Sequence, residues 1–350
     1  MAPAPASLRE VGDRVDERIL ALVDVELDRW RAVDAELAEP IGALRALIAA
    51  GGKRLRPAFC HWAFVGAGGD PDDRQVVDAG AALELLHTFA LVHDDVMDGS
   101  DQRRGLPSVH RTFIDRHVRR GWQGEARRSG EGAAILIGDF AFVYADLVLG
   151  EIPPAARAVF DELRLELCVG QYLDLVGTAS ASRDPDQATR IERYKSGKYT
   201  VERPLHLGAA LAGAGPDVHT SLTEVGLPLG EAFQLRDDLL GVFGDSTVTG
   251  KPVGDDLREG KLTPLIAAAS ARVAGADQTR LARVGATDLT ATDVAAIQDL
   301  LVESGAVAEI EDRIARRVDE ALAALDGAPI TGDAREALAE LTRFAAWRDR

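Results

Sequence analysis

Apolar residues recur at helical spacing along almost the whole chain, and no alternating strand pattern interrupts them. Clusters of glycine, proline and aspartate cut this pattern into segments of roughly 12 to 30 residues, an ordinary length range for helices. Three of the segments, 75–98, 131–150 and 155–178, are apolar around much of their circumference. A helix of that kind is surrounded by other helices. The sequence therefore predicts an all-α fold.

The 350 residues contain no internal repeat and no low-complexity linker, so we interpret 1–350 as one domain with 1–38 as an N-terminal helical segment. The net charge of −17 argues against a nucleic-acid partner, which requires a basic surface. No integral membrane segment is expected, because no uninterrupted apolar stretch approaches ~18 residues. Cys60 and Cys168 are far apart and suggest reduced, buried thiols, so we expect a cytoplasmic protein.

Three aspartates occupy five positions at the end of segment 75–98, in LVHDDVMD. Asp94 and Asp98 share one helix face, with Asp95 about 100° round the axis. Like charges at this spacing, at the negative end of the helix dipole, destabilise a helix unless a cation neutralises them. Clustered carboxylates are the ligands that Mg²⁺ takes, together with water and phosphate oxygens. The cluster therefore indicates a metal site, although a solvated acidic helix end would have the same sequence.

A second acidic pair, Asp237 and Asp238, interrupts another apolar helical pattern, with Gln234 one turn earlier. Two carboxylate pairs on separate helices can face each other across a bundle, where such folds commonly hold metals. This repetition strengthens the prediction of a metal site.

Basic residues stand near glycines in four further segments. They are Lys53, Arg54 and Arg56 in GGKRLRP; Arg103 and Arg104 in DQRRG; Lys195 and Lys198 in YKSGK; and Lys251 and Lys261 in GKPVGDDLREGK. Arginine forks and lysine charges suit polyphosphate oxygens, although each segment alone is more simply a charged surface. Together with the carboxylates they indicate a site for a diphosphate that carries an apolar tail.

The order of these motifs resembles the trans-isoprenyl diphosphate synthases, the polyprenyl synthetase family. The similarity runs over about residues 40–265, from GGKRLRP through ELLHTFALVHDDVMD, RRG, GQYLDL, YKSGKYT and FQLRDDLLGVFGD to GKPVGDDLREGKLT. It implies a single-domain orthogonal helical bundle of the isoprenoid synthase type with a central apolar cavity. It also implies a homodimeric prenyltransferase that condenses isopentenyl diphosphate with dimethylallyl, geranyl or farnesyl diphosphate to give a trans-polyprenyl diphosphate.

The resemblance assigns roles to individual residues. Three Mg²⁺ ions, for which Mn²⁺ is a possible substitute, would be held by Asp94, Asp95, Asp98, Asp237 and Asp238. The isopentenyl diphosphate positions are Lys53, Arg56 and His87, with Arg104 on that side and Arg103 toward the allylic substrate. The positions around the allylic diphosphate and developing carbocation are Lys195, Gln234 and Lys251, which with Asp94 and Asp237 are the implied catalytic residues. Lys261 is a further substrate-binding position, and Gln171 and Asp174 match the GQxxD positions of the cavity.

The implied reaction is ionisation, condensation and elimination. Metal ions and cations draw on the allylic C–O bond until it ionises, the double bond of isopentenyl diphosphate attacks the carbocation, and a proton leaves. The released diphosphate is the proton acceptor that the resemblance implies, so we assign no side-chain base.

One position departs from the family pattern. The second motif is commonly DDxxD, whereas Gly241 stands at its fifth position. We expect activity to survive this change, and whether Asp245 supplies the missing carboxylate stays open.

Two residues upstream of the first motif bear on product length. Ala90 and Phe89 lie four and five positions before Asp94, about 6 to 7.5 Å back along the helix. In the family, an aromatic at the fourth position back favours C15, and a single aromatic at the fifth is typical of C20 enzymes. This predicts geranylgeranyl diphosphate, with farnesyl (C15) and geranylfarnesyl (C25) diphosphate as alternatives, unless Phe89 is an ordinary core residue.

Two other functions would use the same scaffold. A helical terpene cyclase needs no site for a second diphosphate, so GGKRLRP and RRG argue against it. A non-catalytic subunit of a heteromeric prenyl synthase typically lacks one aspartate motif, whereas both are substantially present here.

Overall fold

The computed structural model describes residues 4–180, 187, 190–191, 193–244, 253–261 and 263–348. A 3-10 turn, Ala35–Leu37, joins the first two helices, and a short antiparallel hairpin follows the fourth. The elements up to residue 179 are α1 (Ala6–Val33), α2 (Ala38–Ala49), α3 (Leu55–Gly66), α4 (Arg74–Asp98), β1 (Gln102–Arg103), β2 (Leu106–Pro107), α5 (Val109–Arg120), α6 (Ala126–Leu149) and α7 (Pro154–Ala179).

The second half of the chain starts with a π-helical segment, Arg193–Glu202, which carries the YKSGKYT motif. The helices after it are α8 (Arg203–Leu211), α9 (Pro216–Phe243), α10 (Asp255–Glu259), α11 (Pro264–Ser270), α12 (Ala276–Leu281), α13 (Ala291–Glu303), α14 (Ala306–Gly327) and α15 (Gly332–Ala346). The all-α prediction is confirmed. Extended π-helices are rare and are found frequently at functional sites.

The central helix α4 has clear start and stop signals. The Asp73 side chain accepts a hydrogen bond from the backbone N–H of Gln75, and Gly99 ends the helix with φ 69°. Leu83, Leu85 and Leu86 are fully buried between α4 and its neighbours. Each such side chain contributes about 1.5–3 kcal/mol of burial free energy, which fixes the position of the aspartates at the end of α4.

By length and composition, α4 and α6 could each cross a bilayer. Their apolar windows are 61% and 44% buried inside the fold, and the core helix of a bundle has the same composition.

Two local features differ from the sequence-based expectations. The hairpin has only two residues per strand, too few to produce an alternating pattern. Its turn, Arg104 and Gly105, has φ of 53° and 73°, the positive values of a type I′ turn. The second difference is that Cys60 is buried as expected, whereas Cys168 is exposed.

Candidate active site

Asp94 and Asp98 lie on one face at the end of α4 and contact three other parts of the chain. The Nε2 of Gln171, on α7, donates to Oδ1 of Asp94 at 2.8 Å. The Nζ of Lys195, in the π-helical segment, lies 3.0 Å from the same oxygen. The Nζ of Lys261, after α10, lies 3.3 Å from Oδ2 of Asp98. Residues that are far apart in the sequence, from Asp94 to Lys261, therefore lie together around the first aspartate motif.

Lys195 is held between two carboxylates. Its Nζ also donates to Oδ2 of Asp174 at 2.6 Å. Burial alone would lower the pKa of Lys195, but Asp94 and Asp174 raise it above its usual value. A Cβ added at Gly170 would overlap the backbone of Lys195, so glycine there lets the π-helical segment lie directly against α7. The close approach brings a charged ammonium to the aspartates.

The two carboxylates that share the α4 face differ in proton affinity. Burial alone would raise the pKa of Asp94, but Lys195, Lys261 and Arg103 hold it well below its usual range. For Asp98, burial raises the pKa, and the charge of Asp94 adds to this despite Lys261. Two neighbouring carboxylates whose pKa values are shifted in opposite directions repel each other. A bound divalent cation would offset this repulsion.

Asp95 points elsewhere. It is 1% exposed and accepts a hydrogen bond from Nε of Arg103 at 2.9 Å, and Nη2 of Arg103 donates to the same oxygen. The same Nη2 lies 3.7 Å from Oδ2 of Asp94. Arg103, expected to reach the allylic substrate, is thus tied to the first motif from the β1 side of the hairpin.

The second motif lies on α9. The Nε2 of Gln234 donates to Oδ1 of Asp238 at 2.7 Å, one turn along the helix. Asp237 accepts a hydrogen bond from Nη2 of Arg348, beyond the end of α15. Two earlier candidates near this motif, Asp245 and Lys251, lie outside the described residues.

A separate group of cations lies around α3, the middle of α4 and the hairpin turn. The Nη2 of Arg56 donates to Oγ1 of Thr200 at 2.8 Å, and its guanidinium lies 4.3 Å from the centre of the Tyr199 ring. The His87 ring lies 6.2 Å from the same ring. The Nη1 of Arg104 donates to the carbonyl of Leu47 at 3.1 Å.

This cation group carries excess positive charge. Burial and the nearby Arg54, Arg103 and Arg56 lower the pKa of Arg104 to about 10, although Glu84 acts in the opposite direction. Burial and the same arginines lower the pKa of His87 well below its usual value, so the ring is neutral. Like charges gathered in this way favour a bound polyanion.

Two neighbours of this group differ from each other. Arg54 is buried and paired with Glu84 at 2.7 Å and Asp16 at 2.6 Å, so its charge is balanced inside the protein. Lys53, next to it, is exposed. Of the two, Lys53 is the one that a ligand can reach.

Phe89 packs against two aromatic rings. Its centroid is 4.6 Å from that of His93 and 5.0 Å from that of Phe142, on α6. The His93 Nε2 lies 2.9 Å from the carbonyl oxygen of Ile135, and a Cβ at Gly138 would overlap the His93 ring. The aromatic group is thereby fixed between α4 and α6, about one to two turns before the aspartates.

The sequence over residues 41–301 matches the polyprenyl synthetase family. The chain belongs to this family. It is 33% identical over 307 residues to geranylfarnesyl diphosphate synthase from Aeropyrum pernix, covering 85% of this chain and 90% of that protein. It is 35% identical over 284 residues to geranylgeranyl diphosphate synthase from Mycobacterium tuberculosis, covering 79% and 75% of the two chains.

A solved structure is similar over nearly the whole length. It is geranylgeranyl pyrophosphate synthase from Corynebacterium glutamicum complexed with isoprenyl diphosphate and magnesium, with a TM-score of 0.92, 35% identity and coverage of 97% and 99% of the two chains. Members of the family are metal-dependent prenyl synthases that use isoprenyl diphosphates. The predictions of a prenyltransferase and of an isoprenoid synthase fold are confirmed.

The carboxylates fit a hard divalent cation in chemistry. Within the described parts of the chain, no group of three or more His, Cys, Asp or Glu side chains is already gathered closely enough to hold a metal ion. Instead Lys195, Lys261 and Arg348 each contact an aspartate of the two motifs. Carboxylate oxygens are the donor set that Mg²⁺ prefers.

Proposed function

We propose that this family member condenses isopentenyl diphosphate with an allylic diphosphate, and that its main product is geranylgeranyl diphosphate. The observation that supports this best is the presence of two separate sites for a diphosphate. One is the group of carboxylates and cations around Asp94, where a metal ion would bind the diphosphate, and the other is the cation excess around Arg104. A reaction between two diphosphates needs two such sites, whereas a terpene cyclase needs one.

In the proposed metal site, Asp94 and Asp98 of α4 and Asp237 and Asp238 of α9 would together hold three Mg²⁺ ions, with Mn²⁺ as a substitute. Bound Mg²⁺ supplies positive charge to the leaving diphosphate. Asp95 belongs to the same motif, and its pairing with Arg103 orients the end of α4. Lys195 and Lys261 add positive charge beside the allylic diphosphate.

The cation group takes the second substrate in this proposal. Lys53, Arg56 and Arg104 hold the diphosphate of isopentenyl diphosphate, and His87 donates to it as a neutral imidazole. Gln234 stabilises the developing carbocation, and the family pattern alone assigns the same role to Lys251. No protein base is required, because the released diphosphate accepts the proton.

A C20 product is supported by Phe89 and by the relatives. The rings of Phe89 and Phe142 pack against each other before the aspartates, and a small residue, Ala90, lies one turn before Asp94. Geranylgeranyl diphosphate synthases are among the similar proteins, and a geranylfarnesyl synthase keeps C25 as the alternative.

We also propose a single-domain, cytoplasmic homodimer. Two helices carry exposed apolar stripes at helical spacing, which a second copy would cover. They are Leu136, Val143 and Leu147 on α6, and Leu165, Val169, Tyr172 and Val176 on α7. Arg164 of α7 donates to Asp146 of α6 at 2.7 Å and joins the two helices near one end.

The decisive experiment is a product assay. Purified protein is incubated with isopentenyl diphosphate, each allylic diphosphate in turn and Mg²⁺, and the dephosphorylated alcohols are sized by chromatography. A C20 alcohol that requires Mg²⁺ supports the proposal. Absence of product with every primer would favour a non-catalytic subunit, and a cyclic hydrocarbon would favour a cyclase.

A further inference from the structure

Gly241 faces a carboxylate from another helix. It lies four residues after Asp237, so both residues share one face of α9. A Cβ added at Gly241 would overlap Cγ and Oδ2 of Asp256, on α10. The Asp256 side chain therefore occupies the space that a side chain at position 241 would use.

The other oxygen of Asp256 faces the first motif. Its Oδ1 lies 3.8 Å from Nζ of Lys261, which lies 3.3 Å from Oδ2 of Asp98. Asp256 thus lies between the second-motif face of α9 and the cation that contacts the first motif.

The short helix α10 is fixed in this position. It is bounded by Gly254 and Gly260, whose φ values are 72° and 75°. Leu257 is buried, and its carbonyl accepts a hydrogen bond from the backbone N–H of Gly285 at 2.9 Å. Ser100, just after α4, donates to Oε1 of Glu259 at 3.1 Å. The placement of Asp256 is therefore a result of the packing.

We propose that Asp256 supplies the carboxylate that the second aspartate motif lacks at Gly241, and that it acts there in holding the metal-bound diphosphate. The inference rests on the proposed function, since it concerns the same metal site. It predicts that a carboxylate is required at this position and that either α9 or α10 can supply it.

Three variants test the inference: Asp256→Ala, the exchange Gly241→Asp with Asp256→Ala, and Asp255→Ala as the charge-matched control from the same helix. Free Mn²⁺ is measured by electron paramagnetic resonance as the protein is titrated with Mn²⁺ in the presence of inorganic diphosphate. Loss of a residue that supports a metal site typically weakens binding 10- to 100-fold, so we expect about tenfold weaker Mn²⁺ binding for Asp256→Ala. The exchange variant restores it to within about threefold, and Asp255→Ala binds like the wild type.

Circular dichroism melts confirm that each variant is folded, and the product assay runs in parallel. Wild-type affinity in Asp256→Ala overturns the inference, as does equal weakening in Asp255→Ala or an exchange variant that is folded but not restored. These results leave the proposed function intact if the wild type makes prenyl product. A wild type that neither binds Mn²⁺ with diphosphate nor makes product overturns the proposed function and the inference with it.

Discussion

Arg348 donates a hydrogen bond to Asp237, the first carboxylate of the second motif, from a side chain that is 1% exposed. Its guanidinium lies 4.0 Å from the centre of the Phe233 ring, one turn earlier on α9. The last residue of α15 also contacts α9, because Nε of Arg236 donates to the carbonyl oxygen of Ala346 at 2.7 Å. The segment after α15 thus places a cation on a proposed metal ligand.

Mg²⁺ and Arg348 should compete for Asp237. The Asp237 side chain is 39% exposed, so this pair is worth roughly 0.5–1 kcal/mol, a factor of about two to five. We expect Arg348→Gln to lower the Mg²⁺ concentration for half-maximal activity by this factor, measured in steady-state assays. Arg343→Gln, at an exposed position on α15, is the control. An unchanged or higher Mg²⁺ requirement in Arg348→Gln would contradict the competition.

Local spacing was enough to predict much of this architecture. Apolar periodicity predicted the helices, and the family motifs predicted that Asp94 and Lys195 belong to the same part of the site. Arg348 and Asp256 could not be found in this way. Their partners are Asp237, 111 residues away, and the empty side-chain position of Gly241. Such contacts depend on how separate helices pack against each other and leave no pattern in the surrounding sequence.

Substitutions of the two lysines of YKSGK should differ in their effects on catalysis. Lys195 contacts Asp94 and Asp174, whereas Lys198 donates to Glu166. Lys195→Ala removes a charge beside the proposed position of the leaving diphosphate, so we expect kcat to fall about 10²-fold or more. Lys198→Ala removes a structural ion pair, so the melting temperature should fall while kcat changes little. A kcat loss of equal size in both variants would argue against a specific role for Lys195.

Product length should respond to Phe89 and Ala90 in opposite directions. Phe89→Ala removes the ring that contacts Phe142, so we expect alcohols of C25 and longer in the product assay. Ala90→Phe fills the space nearer to Asp94, so the product should shorten to C15. Phe140→Ala, whose ring stacks on Tyr144, is the control for a lost aromatic on α6. A C20 product from both test variants would mean that Phe89 is only a core residue.

Acid should destabilise the fold through a buried histidine. Burial, with the charges of Arg203 and His219, lowers the pKa of His206 to about 4, and Nε2 of His206 lies 2.9 Å from Oγ1 of Thr223. The nearby Lys198 acts in the same direction. Between pH 6.5 and 4 the unfolded chain binds the proton that the folded chain excludes, so stability falls as the pH falls through this window.

The effect can be measured by urea unfolding at pH 7 and pH 5. The contribution of His206 to the free energy of unfolding should be about 2 kcal/mol smaller at pH 5. In His206→Gln the pH dependence should be weaker by about this amount. His61 remains as an internal comparison, because burial lowers its pKa to about 4 as well. An unchanged pH dependence in His206→Gln would show that this ring does not control acid stability.

The exposed stripe on α6 should control assembly. Val143 lies in the middle of it, seven residues after Leu136 and four before Leu147, and is 53% exposed in the single chain. If a second copy covers this stripe, Val143→Asp buries an unpaired carboxylate in the interface, and light scattering after size-exclusion chromatography should show a monomer. Val118→Asp, at an exposed site on α5, should leave the dimer intact. A wild-type monomer, or a Val143→Asp dimer of unchanged affinity, would place the interface elsewhere or remove it.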